Sequence, residues 1–150
     1  MIRGFTLLWY LLATIVVPLI LHNPSEAADY GPYTLQAPIA IDGDTIQADV
    51  LIWPNIVADA HIRVVGVDTP ELHATALCER TLAQKAKTFT DAWILSHQPI
   101  TIANIKPDKY SGRVDAEVIG KDGTLLTEAL IAAGIGRPYN GGARLPGWCP

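Results

Sequence analysis

A small α+β fold is predicted by this sequence: a five-stranded barrel of OB type, with one helix between the third and fourth strands and a short helix after the fifth. Three observations carry that expectation. Strand-like patterning runs through residues 34–41, 44–53 and 56–67, the period turns helical over 75–95, and two further short apolar runs follow at 100–105 and 114–119. Three strands in succession before any helix suit a closed barrel better than a parallel sheet, which needs a crossover after each strand.

The first strand runs into Asp42-Gly43, a strong hairpin-turn pair. After it Ile46, Ala48, Val50 and Ile52 alternate with Gln47 and Asp49, the period of a strand with one buried face. Pro54-Asn55 makes the next turn, and the third strand, rich in Ile and Val, is halted by Pro70. Over 75–95 Cys78, Leu82, Ala86, Phe89 and Trp93 form one stripe, with Glu79, Arg80, Gln84, Lys87 and Asp91 largely off it. Membership of that stripe predicts a Cys78 thiol buried at the helix base. Gly120-Lys121-Asp122-Gly123 then turns the chain into the second helix, which Gly134 can cap. A chain of 150 residues is expected to hold one domain, and no internal repeat or low-complexity tract interrupts it.

The first 27 residues stand outside that domain. Arg3 supplies a short positive start, residues 5–21 are almost wholly apolar, and Ser25-Glu26-Ala27 offers the small residues that a signal peptidase reads. Cleavage would leave a mature domain of residues 28–150, secreted or periplasmic; an uncleaved N-terminal membrane anchor is the alternative reading. Export makes a Cys78–Cys149 disulfide the first expectation for the two cysteines. Such a bridge would pin the Gly/Pro-rich ending to the first helix, and the chain-entropy model values a loop of that span at roughly 4 kcal/mol. The cysteines fit no zinc spacing, and His22, His61, His73 and His97 form no HxH or HxxxH group, so no transition-metal site is assigned.

The formal net charge is −4, which is awkward for a nucleic-acid partner, since non-specific affinity comes mainly from Lys and Arg releasing counterions, and tight, sequence-specific binding is not suggested. Yet Lys106, Lys109, Arg113, Arg137 and Arg144 all fall in the second half of the chain. A local basic rim suffices for a transient polyanionic substrate.

The densest chemistry lies in Arg63-Val64-Val65-Gly66-Val67-Asp68-Thr69-Pro70-Glu71, which sets a cation and two carboxylates around the end of one apolar strand. Asp42-Gly43-Asp44-Thr45 precedes it, and Asp108-Lys109-Tyr110-Ser111-Gly112-Arg113 follows. Hard oxygen ligands, two guanidinium groups and a further carboxylate are what metal-assisted phosphodiester cleavage requires. Each part alone also reads as an ordinary turn, helix cap or ion pair.

In this order and spacing the motifs resemble those of the staphylococcal nuclease (thermonuclease) family, over roughly residues 38 to 139. The resemblance implies a calcium-dependent endonuclease acting on DNA or RNA without sequence preference, as a monomer with no protein partner. It implies metal ligation by Asp44, Asp68 and the Thr69 carbonyl, catalytic roles for Arg63, Glu71 and Arg113, and substrate contacts from Lys109, Tyr110 and Tyr139. A nuclease-like module that binds nucleic acid or protein with little or no turnover is the competing class; such modules tend to lose an acidic ligand or an arginine, and Asp44, Arg63, Asp68, Glu71 and Arg113 are all present here, while a third class is an exported structural or interaction protein whose acidic cluster binds calcium only for stability. Two departures stand out. Ser111 lengthens the loop before Arg113 by one residue, leaving open where its guanidinium falls, and an irregular tail replaces the long C-terminal helix of the founding enzyme.

Overall fold

The computed structural model describes residues 30–145 and 147–149; the apolar segment and the expected cleavage site at its end lie outside the described residues. Strands β1 (Tyr33–Ala40), β2 (Thr45–Trp53) and β3 (Ile56–Val64) follow one another, a two-residue strand β4 (Val67–Asp68) comes next, and helix α1 spans Leu77–Ser96. Strands β5 (Thr101–Pro107) and β6 (Arg113–Ile119), helix α2 (Leu126–Ala132) and a second two-residue strand β7 (Arg137–Pro138) complete the order. Five strands close a barrel in the order β1-β2-β3-β6-β5, with β3 and β6 parallel and the other pairings antiparallel. The barrel with its interposed helix is the one expected, and most element ends fall within two residues of their sequence positions.

Alternation decides what lies inside. Ile46, Ala48 and Val50 on β2 face inward, as do Ile62 and Val64 on β3 and Ala116 and Val118 on β6. Trp93 and Ile94 of α1 and Leu126 and Leu130 of α2 close the same core. Each large aliphatic side chain withdrawn in this way contributes about 1.5–3 kcal/mol. Gly134, at φ +70°, stands just past α2, and the amides of Ile135 and Gly136 return to the Leu130 carbonyl, so the predicted glycine stop holds.

Two expectations are corrected. The third strand does not continue to Val67: β3 ends at Val64, and Gly66, at φ +83°, turns the chain out of the barrel. A left-handed residue cannot extend a strand, and glycine adopts that conformation without penalty. Residues 67 and 68 then pair with β7, opposite Pro138 and Arg137, which ties Asp68 to the chain leaving α2. Cys78 is also exposed rather than buried. The buried face of α1 is Ala83, Ala86, Thr90, Trp93 and Ile94, so the apolar stripe meets the barrel only from Ala83 onward and the first turns project beyond it.

The thiol finds its partner in the tail instead. Cys78 and Cys149 form a disulfide with Cα atoms 6.2 Å apart. Arg137 adds to this fastening, with its guanidinium 3.9 Å above the Trp148 ring and an N–H donated to the Gly147 carbonyl at 2.9 Å.

Candidate active site

The turn before β2 carries the first carboxylate, and it is held by short-range chemistry. The Asp44 amide donates to Asp42 Oδ1 at 3.0 Å, and the amides of Ile41 and Asp42 both donate to the Thr45 carbonyl. Buried Thr90 of α1 donates its hydroxyl to the Gly43 carbonyl at 2.7 Å. A Cβ at position 43 would lie 2.7 Å from both the Ala86 Cβ and the Thr69 hydroxyl oxygen, so only glycine lets the turn close on the helix. Gly43→Ala is therefore expected to cost about 1–3 kcal/mol, the range for overpacking, read from the urea midpoint. An unchanged midpoint would contradict the packing argument.

Asp44 is 2% exposed. Its Oδ2 accepts the Thr69 amide at 2.9 Å, and its Oδ1 is paired with Arg63 Nη1. Arg63 projects from β3, in register with Thr45 on β2 and Asp115 on β6. Its second terminal nitrogen donates to the Val67 carbonyl at 3.3 Å and lies 3.7 Å from Asp68 Oδ1. One guanidinium thus stands between two buried carboxylates. Burial lowers the affinity of Arg63 for its proton, and nearby Arg144 and Arg113 add repulsion, while Asp42 and Asp68 oppose the fall.

Asp68 is unusual in its satisfaction. Its Oδ1 is buried without a hydrogen-bond partner among the described residues; Arg144 Nε lies 3.1 Å away, but outside hydrogen-bond geometry. Arg144 also pairs through Nη1 with Glu71. A buried carboxylate oxygen left without a donor is poised to accept a cation or a donor from outside.

Burial pushes the Asp68 carboxyl above its ordinary range, with Arg144 and Arg63 offsetting part of the rise. A raised folded-state value means that the native state binds the extra proton, so this contribution to stability is full below the unfolded value and lost as pH rises through the folded one. Asp68→Asn should then have a higher Tm than the unaltered protein at pH 7 in chelator. The gain should vanish by about pH 4, where the unfolded carboxyl also titrates. Equal Tm values at both pH values would contradict it.

Glu71, Lys109, Tyr110, Arg113 and Tyr139 line one cleft of about 630 Å³ with Arg63. The inserted Ser111 has not removed Arg113 from this cleft, yet its Nε is committed to Asp108 Oδ2 at 2.6 Å, which leaves its terminal nitrogens to face a ligand. Tyr110 lies beside it, 5.0 Å from ring centroid to guanidinium carbon. Tyr139 is set by its amide, which donates to the Gly66 carbonyl at 3.1 Å, and by its hydroxyl, which donates to the Gly142 carbonyl at 2.8 Å. Asp44 and Thr69 are buried and do not line this cleft, Asp68 lines a second pocket with Gly66, Arg137 and Tyr139, and the cysteines stand apart from both.

Of the charged residues lining the cleft, Asp108 and Asp115 were not among the sequence candidates. Asp115 follows Arg113 by two positions on β6 and so shares its face, a signal that strand periodicity contains. Arg144 was legible as part of a basic rim and, with Tyr139, as a substrate contact fixed only if a Cys78–Cys149 bridge holds the tail.

Among the described residues no three His, Cys, Asp or Glu side chains converge as a metal cluster. A divalent cation here would rest on two carboxylates, with carbonyl and water oxygens completing its shell. That donor set suits calcium, which accepts mixed oxygen ligands; the buried Asp68 oxygen without a hydrogen bond lies between Arg63 and Arg144.

Fold and site together define an OB-type barrel with an acid-and-arginine pocket at the end of β3. The family model described as staphylococcal nuclease homologue matches residues 61–144, more than half of the chain. The chain belongs to that family. The match begins within β3 and takes in Arg63, Asp68, Glu71 and Arg113, whereas Asp44 joins them through its contacts with Arg63 and Thr69. None of the curated proteins compared with the chain matches it.

Proposed function

We propose that this protein is a calcium-dependent endonuclease that hydrolyses phosphodiester bonds in DNA or RNA without sequence preference. The observation that carries the reading is the buried Asp44–Arg63–Asp68 cluster, whose arginine opens into the same cleft as Arg113 and Glu71. Asp44, Asp68 and the Thr69 carbonyl are the proposed ligands of the calcium ion. When bound, the ion supplies Lewis-acid polarisation of a phosphoryl oxygen.

The chain's own groups account for the remainder. Arg63 and the terminal nitrogens of Arg113 donate to equatorial oxygens, where negative charge builds as the phosphorus becomes five-coordinate. Glu71 orients the attacking water or takes its proton. Lys109, Tyr110 and Tyr139 hold the strand on either side, by charge and by stacking against bases. The disulfide fits an oxidising compartment, and we take the working form to be an exported monomer of residues 28–150.

Plasmid DNA incubated with the purified protein in calcium, and again in excess chelator, tests the reading. Cleavage confined to the calcium arm is expected; none in either arm would leave the nuclease-like binding module as the account of the site.

A further inference from the structure

We propose that Arg144 is a third guanidinium of the substrate cleft, a phosphate-binding residue delivered by the disulfide-tethered tail. The inference rests on the nuclease reading for its substrate class, and its test is separable from that reading.

The charge lining the cleft motivates it. Arg63, Lys109, Arg113 and Arg144 face Glu71, Asp108 and Asp115, a single cation in excess. Asp44 and Asp68, which pair with Arg63 and Arg144, more than cancel that excess, so attraction of a polyanion depends on each cation that can reach a phosphate. Nor is the side chain consumed by its ion pairs. Its Nε lies 3.1 Å from Asp68 and its Nη1 meets Glu71, while Nη2 and a remaining Nη1 hydrogen are left to donate among the five N–H groups a guanidinium carries. It is 49% exposed, open to a ligand from the cleft side. The two carboxylates hold it in one place before substrate arrives, so little rotamer freedom is lost on binding.

Its delivery depends on the tail. No helix or strand contains residues 139–145, and five residues beyond Arg144 the chain is bonded through Cys149 to Cys78 on α1. Arg137 beneath Trp148 braces the same segment. A loop fixed at both ends keeps the guanidinium over Asp68 and Glu71; released at Cys149, it would spend much of its time elsewhere.

The experiment measures binding of a fluorescent single-stranded oligothymidylate in chelator, where nothing is cut, across a range of salt. Arg144→Gln should weaken binding several-fold and flatten the plot of log affinity against log salt by about 0.7, the increment for one phosphate contact on a single strand. Arg144→Lys should restore most of the slope. The double variant Cys78→Ser, Cys149→Ser should reproduce the loss, and adding Arg144→Gln to it should change little, with circular dichroism confirming that each variant is folded. An unchanged slope, or tighter binding by Arg144→Gln, overturns the proposal and makes Arg144 a counter-ion of Asp68 and Glu71 alone. Binding by the double cysteine variant equal to that of the unaltered protein overturns delivery by the disulfide. A protein that binds with the expected slope yet cuts nothing in calcium fails as a nuclease while the role of Arg144 stands.

Discussion

Replacing Arg63 by lysine is expected to lower kcat by on the order of a hundredfold or more, with the barrel still folded. The guanidinium pairs with buried Asp44, donates to the Val67 carbonyl and lies near Asp68, so it is fixed from three sides before substrate binds. An ammonium keeps the charge but presents a single point of donation, which cannot hold this bracket and also fork onto a phosphate. The loss should fall in kcat more than in KM, because equatorial oxygens carry their greatest charge only in the transition state. Steady-state kinetics on a short oligonucleotide check it, with circular dichroism as the control. The same exchange at Arg113 should also be severe. A silent Arg113→Lys would make Arg113 a partner of Asp108 only and leave Lys109 and Arg144 as the cations of that wall, since Arg137 is engaged with Trp148 and Gly147.

The bracket around Arg63 shows where sequence was sufficient and where it was not. Period-2 alternation on β2 and the Ile- and Val-rich run of β3 gave the barrel, because one face of each strand is buried and a shift of one residue would expose Ile46 and Ile62. The motifs gave Arg63, Glu71, Lys109, Tyr110 and Arg113, which line the cleft, and Asp44 and Asp68, which bracket Arg63, since each sits at a strand end or in a turn whose position the barrel dictates. The break at Gly66 was hidden within an unbroken apolar run, and only pairing with β7, some seventy residues later, makes it visible.

Cys78 was misplaced for a related reason. Helical period identifies a stripe but not where along its length the barrel begins, and here contact starts at Ala83. Arg144 was legible as a substrate contact only on the condition that the disulfide holds the tail. Its place follows from a disulfide, a cation-π contact and the β4–β7 pairing acting on a segment with no period of its own.

Asp44→Ala and Asp68→Ala are expected to abolish calcium-supported cleavage, a loss of several orders of magnitude where a Lewis acid is removed from its reaction. The two should differ in stability. Asp44 accepts the Thr69 amide and pairs with Arg63 in the interior, so its removal strands a buried donor and a cation and should cost about 3 kcal/mol or more. Asp68 has a carboxyl that burial disfavours in its charged form, so its removal should cost little or raise Tm. Thermal unfolding in chelator separates the pair: similar losses in both would mean that Asp68 is a structural anchor.

The measurement that bears most directly on the nuclease reading is a calcium titration of one protein sample, following cation binding by calorimetry and oligonucleotide cleavage in parallel. Binding and cleavage should rise together in the unaltered protein, and both should be absent from Asp68→Ala at the same calcium concentrations. Undiminished cleavage in excess chelator, or calcium binding and cleavage that survive the loss of Asp68, would contradict the assignment.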